Sequence, residues 1–326
     1  MIAAIIAWSA RNIALTLLGA LFATLAGIYA VTRVPLDALP DLSDTQVIVY
    51  TEYSGQAPQV VEDQITFPLT TAMLSVPRSR VVRGFSMFGV SFVYVIFEDG
   101  TDIYWARSRV LEYLNVAAQR LPRGVTPNLG PDATGVGWVY QYALVGDERD
   151  LAELRALQDW SLRFAVAKAP GVAEVASVGG FVKQYAVVVD PNRLRFHGLT
   201  LDAVREAVRA SNLDVGGRTV ELAETEFMIR GRGYLKGIAD LERVVVKADR
   251  GSAVLLRDVA RIELAPDERR GIAELNGRGE VASGIALQRH GANTLDVIRA
   301  VKERIAAVAT SLPEGARIEP VYDRSD

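Results

Sequence analysis

The sequence predicts an α+β protein. One N-terminal membrane-spanning helix is followed by two strand–helix–strand, strand–helix–strand units, and a small α+β insertion interrupts the second unit. Three observations lead there. Residues Asn12 to Thr32 carry no charge and lie between Arg11 and Arg33. Strand-like and helix-like segments then follow one another in the same order twice. In the second round, the last helix is delayed by a stretch of separate composition from about Pro191 to Asp267.

At ~1.5 Å per residue the charge-free run reaches ~31 Å as a helix, the thickness of a hydrocarbon core. A cleavable signal peptide would have a shorter apolar region and a small-residue cleavage site. Here the run is too long, and Arg-Val-Pro-Leu-Asp follows it. A retained helix is therefore expected. No second apolar run of that length occurs, so the remainder reads as one aqueous region. Lys and Arg counts on the two sides scarcely decide orientation.

Val34 to Asp44 (VPLDALPDLSD) reads as an extended linker. Thr45 to Tyr53 reads as a strand, rich in β-branched and aromatic residues. Gln59 to Leu74 has helical spacing, and Arg80 to Gly84 and Ser91 to Phe97 read as strands around Gly89. Asp102 to Arg120 is amphipathic, with Ile103, Ala106, Val110, Leu114 and Ala117 on one face. Pro122 to Pro127 ends this unit, and the order is that of a split βαβ, or ferredoxin-like, arrangement.

The pattern restarts with Val139 to Val145 as a strand and Asp150 to Lys168 as a helix, with Leu151, Leu154, Leu157 and Leu162 expected inward. Val172 to Val178 and Gln184 to Asp190 read as strands. The insertion holds a helix at Asp202 to Ser211. Its strands are expected near Thr219 to Leu222, Phe227 to Arg230, Val244 to Lys247 and Val254 to Leu256. Gly271 to Asn276 and Val281 to Gln288 then read as strands, Thr294 to Leu312 as a helix and Arg317 to Tyr322 as a strand.

The chain has 326 residues, 50% of them hydrophobic, enough for two or more compact units. Its formal charge of −3, from 36 basic and 39 acidic residues, argues against a nucleic-acid partner, which calls for a basic patch. With no cysteine there is no disulfide framework and no thiolate metal site. His197 and His290 lack ligand-like spacing and read as ordinary residues. Gly231-Arg232-Gly233 and Gly277-Arg278-Gly279 lack both the GxxxxGK[ST] and the full GxGxxG pattern, and read as turns rather than phosphate loops. No catalytic constellation and no cofactor motif is present.

Several long blocks resemble one family. They are DALPDLSD (Asp37 to Asp44, after Pro35), GQAPQV (Gly55 to Val60) and VYVIFEDGTDIYWARSRVLEYLN (Val93 to Asn115). GPDATGVGW (Gly130 to Trp138), EVASVGG (Glu174 to Gly180), RRGIAELNG (Arg269 to Gly277) and YDRS (Tyr322 to Ser325) continue the match to the end of the chain. Together they resemble the N-terminal part of resistance-nodulation-division pumps of the heavy-metal class, most closely the copper/silver exporters. The resemblance implies a longer, non-enzymatic protein with twelve transmembrane helices in two repeated halves. It implies a homotrimer in the bacterial inner membrane, driven by protons, with its bulk in the periplasm. A periplasmic adaptor and an outer-membrane channel are implied as partners. The expected division is residues 1–33 as the N-terminal segment and membrane helix, and 34–132 as a first porter subdomain. A second porter subdomain takes 133–190 with 268–326, and an inserted docking subdomain takes 191–267.

Four methionines (Met1, Met73, Met87, Met228) suit soft monovalent ions chemically but form no cluster. At a position where copper/silver pumps of the family place a channel methionine, this chain has Glu268, beside Asp267. A carboxylate pair is a harder donor set, so Asp267 and Glu268 are weak metal candidates; an acidic surface turn is the plainer reading. Arg83 resembles a residue lining the family's periplasmic cleft, against the alternative of a strand-end ion pair. Glu221, Glu224 and Glu226 are docking-contact candidates, or a solvated face. The cargo is expected to be Cu(I) or Ag(I). The alternatives are export of Zn(II), Co(II) or cadmium by the same machine, and a membrane-anchored periplasmic binding or adaptor module.

Overall fold

The computed structural model describes residues 2–33, 41–146, 149–222, 225–231, 233–249, 252–267, 269 and 271–325. It divides into two compact units, Met1–Gly179 with Ala273–Asp326, and Gly180–Ile272.

The first unit begins with helix α1 (Ile2–Arg11) and helix α2 (Ile13–Arg33), which carries an apolar stretch, Ile13–Val31, long enough to cross a membrane. The linker positions 34–40 lie outside the described residues. Strand β1 (Gln46–Glu52) leads to helix α3, built from Pro58–Val61, a π-helical turn at Glu62–Thr66, and Phe67–Met73. Strands β2 (Ser79–Met87) and β3 (Val90–Phe97) follow, then helix α4 (Ile103–Ala118) and the short strand β4 (Pro127–Leu129). The sheet order is β2-β3-β1-β4, all antiparallel. Asp102 caps α4 by accepting from the Trp105 amide at 2.8 Å. The five inward residues expected on this helix are all buried.

The second sheet repeats the scheme. Strand β5 (Trp138–Gly146) precedes helix α5, made of Leu151–Leu157, a second π turn at Gln158–Leu162, and Arg163–Ala167. Strand β6 (Val172–Gly179) follows, and the sheet is completed by β13 (Ala282–Gln288), helix α6 (Thr294–Ala309) and β14 (Ala316–Asp323), in the order β14-β5-β13-β6. Each sheet thus has its first-formed strand inside and its second and fourth at the edges, as a split βαβ arrangement requires.

The two π turns have a common cause. Val61, Ile65, Leu69 and Met73 are all fully buried, and they recur every four residues. Leu154, Gln158, Leu162 and Val166 do the same. An α-helix turns 100° per residue, so a strict four-residue repeat drifts ~40° per step off any one face. A wider π turn absorbs that drift and keeps the row on the sheet. This extends the expected inward set of α5: Gln158 sits at the centre of the buried row, Leu157 packs half-buried against the same core, and Leu151 is only half-buried. Gln158 is fully buried and donates to the Ser177 hydroxyl at 3.3 Å. Under the first π turn, Thr66 meets the hydroxyls of Ser86 (2.7 Å) and Ser91 (2.8 Å), and Glu62 accepts from Ser86.

The second unit is organised around a two-stranded ribbon, β7 (Lys183–Val189) with β12 (Ala260–Pro266). Between them come short helices at Pro191–His197, Leu201–Ser211, Ile238–Glu242 and Leu256–Val259, a hairpin of β8 (Val215–Leu222) with β9 (Thr225–Gly231), and a pair of β10 (Val245–Asp249) with β11 (Ser252–Leu255). Its core gathers Val204, Leu241, Val244, Leu256, Val259 and Ile262. The unit is longer at both ends than the expected 191–267. The strand expected at Gln184 to Asp190 pairs in unbroken register with β12, from Ala260 opposite Val189 to Pro266 opposite Lys183, and not with the second sheet. Gly271 to Asn276 is not a strand either. It holds one isolated bridge, Glu274 to Glu280, and packs Ala273 and Leu275 with Val281 against Ala143 on the outer face of the second sheet.

Candidate functional site

Residues of the segments 93–115, 130–138 and 322–325 meet in space where the two sheets join. Asp132, just after β4, has a mostly buried side chain, 17% exposed. Its carboxylate lies 2.9 Å from the Arg289 guanidinium and accepts from the Tyr104 hydroxyl at 3.2 Å. Its backbone carbonyl accepts from the His290 amide at 2.9 Å. Arg107 on α4 donates to the Gly130 carbonyl at 2.8 Å. Arg324, buried after β14, donates its guanidinium to the Val136 carbonyl, and its amide to the Val139 carbonyl at 3.1 Å. One connecting segment, 130–139, is thereby held by groups from α4, from the turn after β13 and from the end of β14.

The electrostatics of this junction follow from partial burial and close charges. Burial raises the Tyr104 phenol, and the Asp132 charge and hydrogen bond raise it further. Burial would raise Asp323, but Lys302 and the Ser325 hydroxyl and amide outweigh it and hold the carboxyl below its ordinary value. Asp41 is likewise lowered against its burial by Thr134, by the Ser43 amide at 3.0 Å and by the His290 charge. The recess beside these groups, lined by Asp44, Thr134 and His290 among others, encloses ≈ 20 Å³, room for about one water. The junction is a joint between two sheets.

The candidate residues named from sequence lie elsewhere. Arg83 stands on β2, at the edge of the first sheet, and it is exposed with no ion pair among the described residues. Its face of the strand also carries Phe85 and Met87, both more than half exposed, and the Phe85 ring meets Tyr94 edge-on at 5.5 Å. The strand-end ion pair is thus not formed. Asp267 is exposed at the end of β12, its amide bonded to the Val182 carbonyl at 2.8 Å. Its neighbour Glu268 lies outside the described residues, as does Glu224. Glu221 and Glu226 face each other across the β8–β9 hairpin, both exposed. Like charges directly opposite on paired strands repel and weaken the hairpin that carries them.

Among the described residues no group of three or more His, Asp or Glu side chains is placed to hold a metal ion. Met73 is a core residue, and Met87 and Met228 are exposed on different units. The chain in detergent, titrated with Cu(I) or Ag(I), is therefore expected to bind no tighter than about 1 μM, since soft ions need converging thioethers. A stoichiometric site at nanomolar metal would overturn that.

Asp132, Tyr104 and Arg324 sit inside sequence blocks that resemble the family, and Arg289 lies in none of them. No local spacing marks them, because their partners lie on other elements. The usable signal was a negative one: charged residues inside blocks that otherwise read as core or turn.

Residues 5–326 match the AcrB/AcrD/AcrF family. The cation efflux system protein CusA of Escherichia coli K12 is 57% identical over all of this chain, and the putative cation efflux system protein SilA of Salmonella typhimurium 56%. The cobalt-zinc-cadmium resistance protein CzcA of Cupriavidus metallidurans is 35% identical over 92% of the chain. A crystal structure of a heavy metal efflux pump superposes with a TM-score of 0.88 at 33% identity over 97% of the chain. The chain spans about a third of each: 31% of CusA and of SilA, 29% of CzcA and 32% of the crystallised pump. With a family match over nearly every residue, and identity above one half to cation efflux proteins along the whole of this chain, the chain belongs to the AcrB/AcrD/AcrF family of efflux transporters, in its heavy-metal resistance-nodulation-division branch.

Proposed function

We propose that this chain is the N-terminal portion of the inner-membrane subunit of a proton-driven, tripartite cation efflux system, and that the exported ion is Cu(I) or Ag(I). The observation that supports the cargo is the 57% identity to CusA along the whole chain, against 35% to CzcA. In this reading α2 is the first of the membrane helices, set in the bacterial inner membrane. The two four-stranded sheets with their helices are the first two porter subdomains, facing the periplasm. The unit Gly180–Ile272 is the docking subdomain. Arg83 lines the cleft between porter subdomains, where a lone cation beside exposed aromatic rings pairs with acids of the cleft. Glu221, Glu224 and Glu226 meet basic groups of a partner, which also relieves the repulsion between Glu221 and Glu226. The pump works as a homotrimer with a periplasmic adaptor and an outer-membrane channel.

Glu268 favours a second cargo, Zn(II) or Co(II), because carboxylates suit harder divalent ions than thioethers do. The deciding experiment puts the complete gene product into a metal-sensitive bacterial strain. Survival on silver and copper, with sensitivity to zinc and cobalt unchanged, is the expected result. Protection against zinc or cobalt alone would keep the machine and overturn the cargo.

A further inference from the structure

We propose that α1 is a second membrane element: a helix lying along the phospholipid interface rather than continuing the spanning helix α2 into water. The inference rests on the reading of α2 as membrane-spanning.

Three features of Ile2–Arg11 point to it. The first is length. The 21 residues of α2 already reach ~31 Å, so a straight extension by the 10 residues of α1 would stand ~15 Å beyond the hydrocarbon. That extension would carry Ile2, Ile5, Ile6 and Trp8, all more than half exposed, into solvent. The second is pattern. Ile2, Ile5 and Ile6 follow the i, i+3, i+4 rule of an apolar stripe that ends at Ser9, whereas Ala3, Ala7 and Arg11 occupy the other side. Trp8 falls at the border between the two faces, where an indole meets headgroups, and Arg11 in the last turn reaches their phosphates.

The third is a break in the helix at Asn12, with its own satisfaction of the backbone. Asn12 lies between the two helices. Its side-chain amide donates to the Trp8 carbonyl at 3.0 Å. The Thr16 hydroxyl reaches the Ser9 carbonyl at 3.3 Å and the Asn12 carbonyl at 3.1 Å. A hydroxyl that bonds a carbonyl seven residues back is out of step with a straight helix. The Trp8 and Asn12 carbonyls also keep helical bonds from the Asn12 and Thr16 amides, both at 3.0 Å, so the bend shows at the Ser9 carbonyl, where a polar side chain inserts and satisfies it. The partner is thus the interface of the same bilayer that α2 crosses.

The chain contains no cysteine, so single spin labels can be placed without background. Ile6→Cys, Ala7→Cys and Ala20→Cys would each be labelled and reconstituted in phosphatidylethanolamine–phosphatidylglycerol vesicles. Depth is then read from relative collision with oxygen and with a water-soluble nickel chelate. The Ala20 label is expected well inside the hydrocarbon, ~10 Å from its nearer interface. The Ile6 label is expected ~5–10 Å below the phosphates and the Ala7 label at or above them. Nickel-accessible labels at both α1 positions, with Ala20 still deep, would overturn the interfacial helix and leave the spanning helix standing. Equal, deep burial at Ile6 and Ala7 would overturn it as well, in favour of a longer spanning helix. A nickel-accessible Ala20 label would remove the spanning reading, and the inference with it.

Discussion

Gly179→Ala is expected to lower the stability of the first unit by about 3 kcal/mol or more, from two separate sources that add. Gly179 ends β6 with φ of +74°, where an L side chain costs ~1–2 kcal/mol. A Cβ there would also lie 2.2 Å from the Val281 carbonyl oxygen and 2.6 Å from the Ala273 Cβ. The nearest obstacle is backbone, which no rotamer change relieves, so a further ~1–3 kcal/mol of overpacking follows. For a domain with ~5–15 kcal/mol in total this is a large share. Gly277 supplies the control. Its φ is +70°, but an added Cβ meets nothing within 4 Å, so Gly277→Ala carries the backbone cost alone, ~1–2 kcal/mol. The check is the denaturant midpoint of each variant in detergent. Equal shifts at the two positions would mean that the contact with Val281 and Ala273 costs nothing.

Gly284→Val is expected to be nearly as damaging, for a different reason. Gly284 sits opposite Tyr142 in the β13–β5 register. A Cβ there would come 2.3 Å from the ring and 2.8 Å from the Gln158 amide nitrogen. Tyr142 is among the largest fully buried side chains, and burial pushes its phenol up to about 12. Because that ring is fully buried, the substitution costs ~3 kcal/mol by overpacking. A double variant tests the mechanism. Gly284→Ala combined with Tyr142→Leu should lose less than the sum of the two single changes, because the smaller side chain vacates the clash. Strict additivity would show that the glycine is required for something other than the ring.

The strands and helices that sequence periodicity made legible are those with a local alternating or helical stripe, including β13 and β14, whose partner β5 is far away in the chain. Strand β3 and helix α4 came through because Val93, Val95 and Phe97 alternate inward and because Ile103 to Ala117 holds a helical stripe. The extent of the inserted unit did not, since the partner of β7 is β12, on the far side of the whole insertion. Nor did the π turns, although the four-residue rows Val61–Met73 and Leu154–Val166 were open to view. The polar Gln158 in the second row disguised it as a helix with leucines at other positions. Of the candidate site, the sequence made the exposed acids and Arg83 visible as residue types in open segments. It could not reveal that Glu221 stands opposite Glu226, because that depends on hairpin register, nor that Asp132 binds Arg289 and Tyr104, because that depends on how two sheets meet.

The order of the second sheet also dictates when it can be made. In β14-β5-β13-β6, the two strands synthesised first never touch; β13 separates them. After β6 leaves the ribosome, about 100 further residues must be translated before β13 exists, some ~5–20 s at ~5–20 residues per second. Through that interval β5 and α5 expose the surfaces later covered by β13 and α6, while the inserted unit, complete within its own span, is free to fold ahead of the sheet that brackets it. The nascent chain therefore matures from the inside of its sequence outward, and the half-built second sheet is the stretch most in need of protection during biosynthesis.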